Sequence, residues 1–159
     1  MEKKESLRRD LLELLEGKGA HADFEAVFSG VPSEARGRRA AGLPHTLWQL
    51  LEHLRIAQRD ILEFSRNSAH VSPKWPEGYW PATDAPTEEG NWGRSIAAFK
   101  SDLEAMRRLV VDPSTELLAR IPHGDGQTIF REALLLADHN AYHLGQVVSV
   151  RQALENWRA

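Results

Sequence analysis

Apolar residues recur along this chain at intervals of three and four, the period of a helix with one buried face, and almost nowhere in the strict alternation of a half-buried strand. Leu7, Leu11, Leu14 and Leu15 form one such stripe and predict a first helix from Glu2 to Glu16, ended by Gly17 and Gly19. Phe24, Val27 and Phe28 add further helical packing. A connector of small and basic residues, Ser29 to Leu43, leads to Pro44, which is expected to open a second helix. That helix runs to about Ser65 and turns Leu47, Leu50, Leu51, Leu54, Ile61 and Leu62 toward the core. A third helix is expected from about Trp92 to Val111, closed by Asp112 and Pro113, and a fourth from about Thr128 to Trp157 with Thr128 as its N-cap.

Between the second and third helices, the stretch from Asn67 to Asn91 holds Pro73, Pro76, Gly78, Pro81, Pro86 and Gly90, which excludes a long helix and disfavours a strand. Connections this long are uncommon in compact domains, and this one also carries Trp75, Tyr79 and Trp80, so it is expected to pack onto the helices. It has enough chain to travel the length of a bundle, which lets the second and third helices run parallel. The predicted fold is all-α, a four-helix bundle with a long crossover between helices two and three, forming one domain over residues 1–159.

At 159 residues, 42% hydrophobic and 27% charged, the chain can form one core without staples. It has no cysteine, which removes disulfides, thiolate-ligated zinc and an internal thiolate nucleophile together, so metal ligation must use His, Asp or Glu. The net charge of -3 argues against a nucleic-acid partner, and the short basic cluster Arg36, Arg38 and Arg39 reads as a solvated loop. Residues Met1 to Asp10 are charged and lack the apolar stretch of a signal peptide. The longest apolar run is Ala133 to Ala137, too short for a membrane span, so a cytoplasmic protein without membrane attachment is expected.

Of seven histidines, only His139 and His143 sit four residues apart, which puts both imidazoles on one helix face. Chance alone supplies about 0.3 such pairs in a chain with this composition, so the spacing gains weight from its setting. Both lie beside the stripe of Ile129, Ala133, Leu136, Leu144 and Val147 and point toward the bundle seam. His53 lies about 80° from the centre of its own helix's stripe, at the border where a neighbouring helix would meet it. Three neutral imidazoles from two helices would leave one or more coordination positions open, as catalytic zinc sites do. The alternative is that each is a hydrogen-bonded histidine at the core edge.

Two other metal architectures do not fit. The residue after His139 is Asn140, where a zincin needs its glutamate base. The positions three before His53, His139 and His143 hold Leu50, Leu136 and Asn140, where a di-iron bundle needs glutamate. Gln49, Asp60 and Gln146 fall near the histidine faces of their helices, and Gln146 and Asp60 are the candidates to fix imidazole tautomers, while Asp138 and Glu52 point more away. Tyr142, Trp80 and Trp92 could shape or cover a pocket but read first as packing, His45 reads as too far along its helix to share an ion, and His70 and His123 as solvated connector residues.

The stretches from His45 to His53 and from Asp138 to Gln146, the latter carrying His139, His143, Gly145 and Gln146 in the pattern His-x-x-x-His-x-Gly-Gln, resemble the two signature helices of the DinB-like (DinB/YfiT) family. The resemblance implies a crossover four-helix bundle, often a homodimer, with a divalent metal, commonly zinc or nickel, on three histidines that map to His53, His139 and His143. It also implies a kinship with metal-dependent transferases that use low-molecular-weight thiols such as bacillithiol or mycothiol, and with isomerases. Leu144 stands where many relatives carry Arg, so any role of that Arg is missing. Trp48 and Trp157 are apolar residues available to a dimer contact.

Two functions follow. The first is a metal-dependent transferase that combines a diffusible thiol with an electrophile, with a hydrolase or isomerase as variants of the same site. The second is a non-enzymatic dimeric bundle with a structural or absent metal, serving as a stress-related binding module.

Overall fold

The computed structural model describes residues 2–17 and 19–157, the side chains of residues 2 and 3 excepted. Among the described residues are four long α-helices and one short one, α1 (Glu2–Glu16), α2 (Phe24–Phe28), α3 (Leu47–Arg66), α4 (Asn91–Val111) and α5 (Ile129–Ala153), with single 3-10 turns at Ser33–Ala35 and Glu77–Tyr79. No strand occurs among the described residues, only an isolated bridge between Arg120 and Thr128. The predicted second, third and fourth helices are α3, α4 and α5.

Local chemistry sets the boundaries. The helix expected to open at Pro44 begins instead at Leu47, because Thr46 and Gln49 form a reciprocal capping box: the Gln49 amide donates to Thr46 Oγ1 (3.1 Å) and the Thr46 amide to Gln49 Oε1 (3.1 Å). Thr128 caps α5 as expected, with the Arg131 amide donating to its hydroxyl. That helix stops at Ala153 rather than Trp157. Glu155 takes a positive φ of 58°, and Arg151 folds back to donate to Asn156 Oδ1 and to its carbonyl, which ends the helix. Arg151 also donates to the carbonyls of Val27 and Ser29, tying off the end of α2. On α1, Leu11 and Leu15 are buried, but Leu14, counted in the same stripe, is 51% exposed.

Side-chain pairs reveal the helix directions. Gln58 of α3 donates to the Phe99 carbonyl of α4, and Arg59 to Asp102, at offsets of 41 and 43 residues, so α3 and α4 run parallel. His53 meets His143 while Gln58 meets Asn140, so α5 runs antiparallel to α3.

The long connection explains how parallel neighbours arise. It returns along α3: His70 pairs with Asp60, the Tyr79 carbonyl reaches His53, and the Asp84 carbonyl accepts from Thr46 Oγ1 (2.6 Å) at the start of the helix. Arg39 and Gln49 donate to the Asp84 carboxylate and Trp48 Nε1 to Thr83, so this crossover is fastened at its far end by four side chains. Arg39 is thus an anchor as well as an exposed charge, and Arg36 lies over the Trp92 ring at 4.9 Å. Trp48 is buried, and Trp157 packs against the core while remaining partly exposed.

Candidate metal centre

His53 sits near the middle of α3, and His139 and His143 one turn apart on α5. Antiparallel packing brings their rings together. The His53 Nε2 lies 3.0 Å from the His143 Nε2 and 3.1 Å from the His139 Nε2, and one ring nitrogen from each residue lies within 4.8 Å of the other two. His53 and His143 are buried and His139 is half-buried.

The opposite ring nitrogens decide what faces the centre. His53 Nδ1 lies 2.9 Å from the Tyr79 carbonyl oxygen, which can only accept, so the ring donates there and keeps its Nε2 bare. His143 Nδ1 lies 2.7 Å from Gln146 Oε1 and donates likewise. Two bare nitrogens therefore lie 3.0 Å apart with no proton between them, a repulsive arrangement that a cation bound by both would relieve. Zinc held at about 2.0–2.1 Å by imidazoles in a tetrahedral array sets its nitrogens about 3.3 Å apart, close to the observed spacing. The donor set fits a borderline divalent ion.

Burial favours the neutral, ligating form of these rings. It depresses His53 to about 4, with the Tyr79 hydrogen bond opposing and the charges of His143 and His45 assisting. It depresses His139 to about 4 as well, assisted by His143 and His53, and lowers His143 in the same direction.

The crossover supplies one wall. Trp80 stacks on His53 at 3.9 Å and 3° between planes, and on its other face stacks on His45 at 4.0 Å. His45, read as remote, is thus one ring removed from the centre, though it brings no ligand atom to it. Tyr142 meets His143 edge-on at 4.9 Å but is largely exposed, and Trp92 is buried in the core away from the site, against Phe28.

Of the two candidate orienting residues, Gln146 touches one of the three imidazoles directly and Asp60 does not. Asp60 accepts from the Tyr79 hydroxyl (2.6 Å) and bonds His70 (2.7 Å), so it fastens the residue whose carbonyl orients His53. Burial, with the Asp60 carboxylate beside it, pushes the Tyr79 phenol up to about 12, so it remains a donor. Gln49 is spent on the α3 cap and Asp84, Glu52 pairs with Arg55, and Asp138 is exposed. His70 is bound rather than solvated, and exposed His123 bonds the Phe64 carbonyl.

The profile of the DinB superfamily matches residues 8–147, which takes in the later part of α1 through most of α5 and all three histidines. The chain belongs to the DinB superfamily. No curated protein and no solved structure shows significant similarity to it. Membership in the DinB superfamily accounts for the crossover bundle and agrees with a three-histidine group able to hold a metal ion. Leu144, which stands where the sequence pattern would place Arg, is buried among the apolar residues of α5, α3 and α4, so this DinB chain spends the position on its core. No helix among the described residues is long and apolar enough to cross a membrane.

Sequence reasoning missed the Tyr79 carbonyl, His45 and the Trp80 stack. A backbone acceptor has no residue signature; the only hint was the cluster of aromatics in an unusually long connection.

Proposed function

We propose that this protein is a divalent-metal-dependent enzyme, a transferase that joins a low-molecular-weight thiol of the bacillithiol or mycothiol type to an electrophile. The observation that carries the reading is the convergence of three imidazole nitrogens, His53 Nε2 lying 3.0 Å from that of His143 and 3.1 Å from that of His139, with the His53 and His143 rings held by acceptors that leave their Nε2 bare. His53, His139 and His143 would hold zinc or nickel, with Gln146 orienting His143 and Asp60 fixing Tyr79 behind His53. A dication on three neutral ligands keeps its charge and lowers the pKa of a thiol bound beside it. The chain has no cysteine, so the thiol is a diffusible cosubstrate. Trp80 excludes water from one side of His53 and keeps that ring from turning. A single domain acting as a cytoplasmic homodimer completes the proposal.

Elemental analysis of tag-free protein tests it first. The expected result is about one metal per chain in wild type, lost in His139→Ala and His143→Ala, followed by thiol conjugation with model electrophiles in the loaded protein. No metal after reconstitution with zinc or nickel overturns the reading.

The non-enzymatic alternative draws on the depth of the site, where His53 is only 3% exposed. A structural metal there predicts that His53→Ala and chelation both lower the melting temperature with no conjugating activity at any loading.

A further inference from the structure

Gln58 is fully buried, an amide in the middle of a hydrophobic bundle, and such a group persists where its hydrogen bonds are made. Its Nε2 donates to the Phe99 carbonyl of α4 (2.6 Å), and its Oε1 accepts from Asn140 Nδ2 of α5 (3.1 Å). The orientation of both amides is forced. Phe99 offers a carbonyl that can only accept, so Gln58 must present its oxygen to Asn140, and Asn140 must turn its NH2 to Gln58 and its Oδ1 elsewhere.

That Asn140 Oδ1 is buried without a donor. On the preceding residue, the His139 Nδ1 is buried without a partner too. An acceptor without a donor and a ring nitrogen without a partner thus sit on adjacent residues of α5. For His139 to ligate through Nε2, its neutral ring must carry the proton on Nδ1. His53 and His143 have acceptors at that position, in Tyr79 and Gln146; His139 has none at bonding geometry.

We propose that Asn140 is the positioning residue of His139: its Oδ1 accepts the Nδ1 proton when the site is loaded, and Gln58 and the Phe99 carbonyl hold the carboxamide in the orientation that permits it. The assignment rests on the metal-binding reading above. It gives α4, which supplies no ligand, a mechanical connection to the metal through two amides. It also makes all three acceptors behind the ligands neutral (a backbone carbonyl and two carboxamides), so nothing behind the rings offsets the charge of the ion.

The test uses zinc-loaded protein with 15N-labelled histidine. Wild type is expected to show a slowly exchanging Nδ1 proton on all three ligand rings. In Asn140→Leu and in the smaller Asn140→Ser, the His139 Nδ1 proton exchanges rapidly while those of His53 and His143 persist, and zinc affinity measured against a chromophoric chelator falls about 10- to 100-fold. Unchanged zinc affinity and an unchanged His139 signal in whichever of the Leu and Ser variants folds overturns the assignment. Failure of the metal-binding reading is seen separately, as a wild-type protein that takes up no zinc.

Discussion

Two imidazoles of the centre, those of His53 and His143, are held from behind, and burial decides the charge of all three. His53 and His139 bind a proton only near pH 4 in the folded chain, against an ordinary histidine value near 6.5 in the unfolded one. The unfolded state therefore binds more protons between those values, and stability is lost as pH falls through that window and is flat above it. Chelator-treated protein should thus melt at a constant temperature above about pH 7 and at falling temperatures from there toward pH 4, a loss on the order of a few kcal/mol in all. Gln146→Ala removes the acceptor behind His143 and is expected to weaken zinc binding about 10- to 100-fold with little change in the fold, read by chelator competition and circular dichroism. Spacing made His139, His143 and Gln146 legible because one helix carries all three. Asp60 was legible as a neighbour but not as an anchor, because its partner Tyr79 comes from a connection with no periodicity to read.

Among the elements, helix existence followed from the apolar stripes and helix ends from capping chemistry. Pro44 lost to Thr46 because a proline only tolerates a helix start, whereas the threonine and Gln49 satisfy free amides of the first turn. Thr46→Ala removes both that cap and the bond to the Asp84 carbonyl, so it should cost about 2 kcal/mol in urea unfolding, at the upper end for a lost cap. The crossover presses on the connector at one point. A Cβ on Gly37 would collide with the Ala85 side chain and crowd the Ala85 and Asp84 backbone. Gly37→Ala is therefore expected to destabilise by about 1–3 kcal/mol and to loosen the crossover, seen as faster amide exchange near Asp84. Neither contact was readable beforehand, since each joins segments that are irregular and distant in sequence.

For the molecule as a whole, the site joins α3 to α5 and the crossover closes over it, so an ion bound there stabilises the assembled bundle and not its parts. Zinc in excess should raise the melting temperature in proportion to the logarithm of its free concentration, and His139→Ala should abolish the increment. Parallel packing of α3 and α4 also has a kinetic side. The side-chain pairs that join these neighbours, Gln58 with Phe99 and Arg59 with Asp102, span 41 and 43 residues, where an up-and-down bundle joins adjacent helices through short turns. Ordering so much chain before the first contact rewards it slows the search for the native state. This bundle should refold more slowly than an up-and-down bundle of equal length and stability.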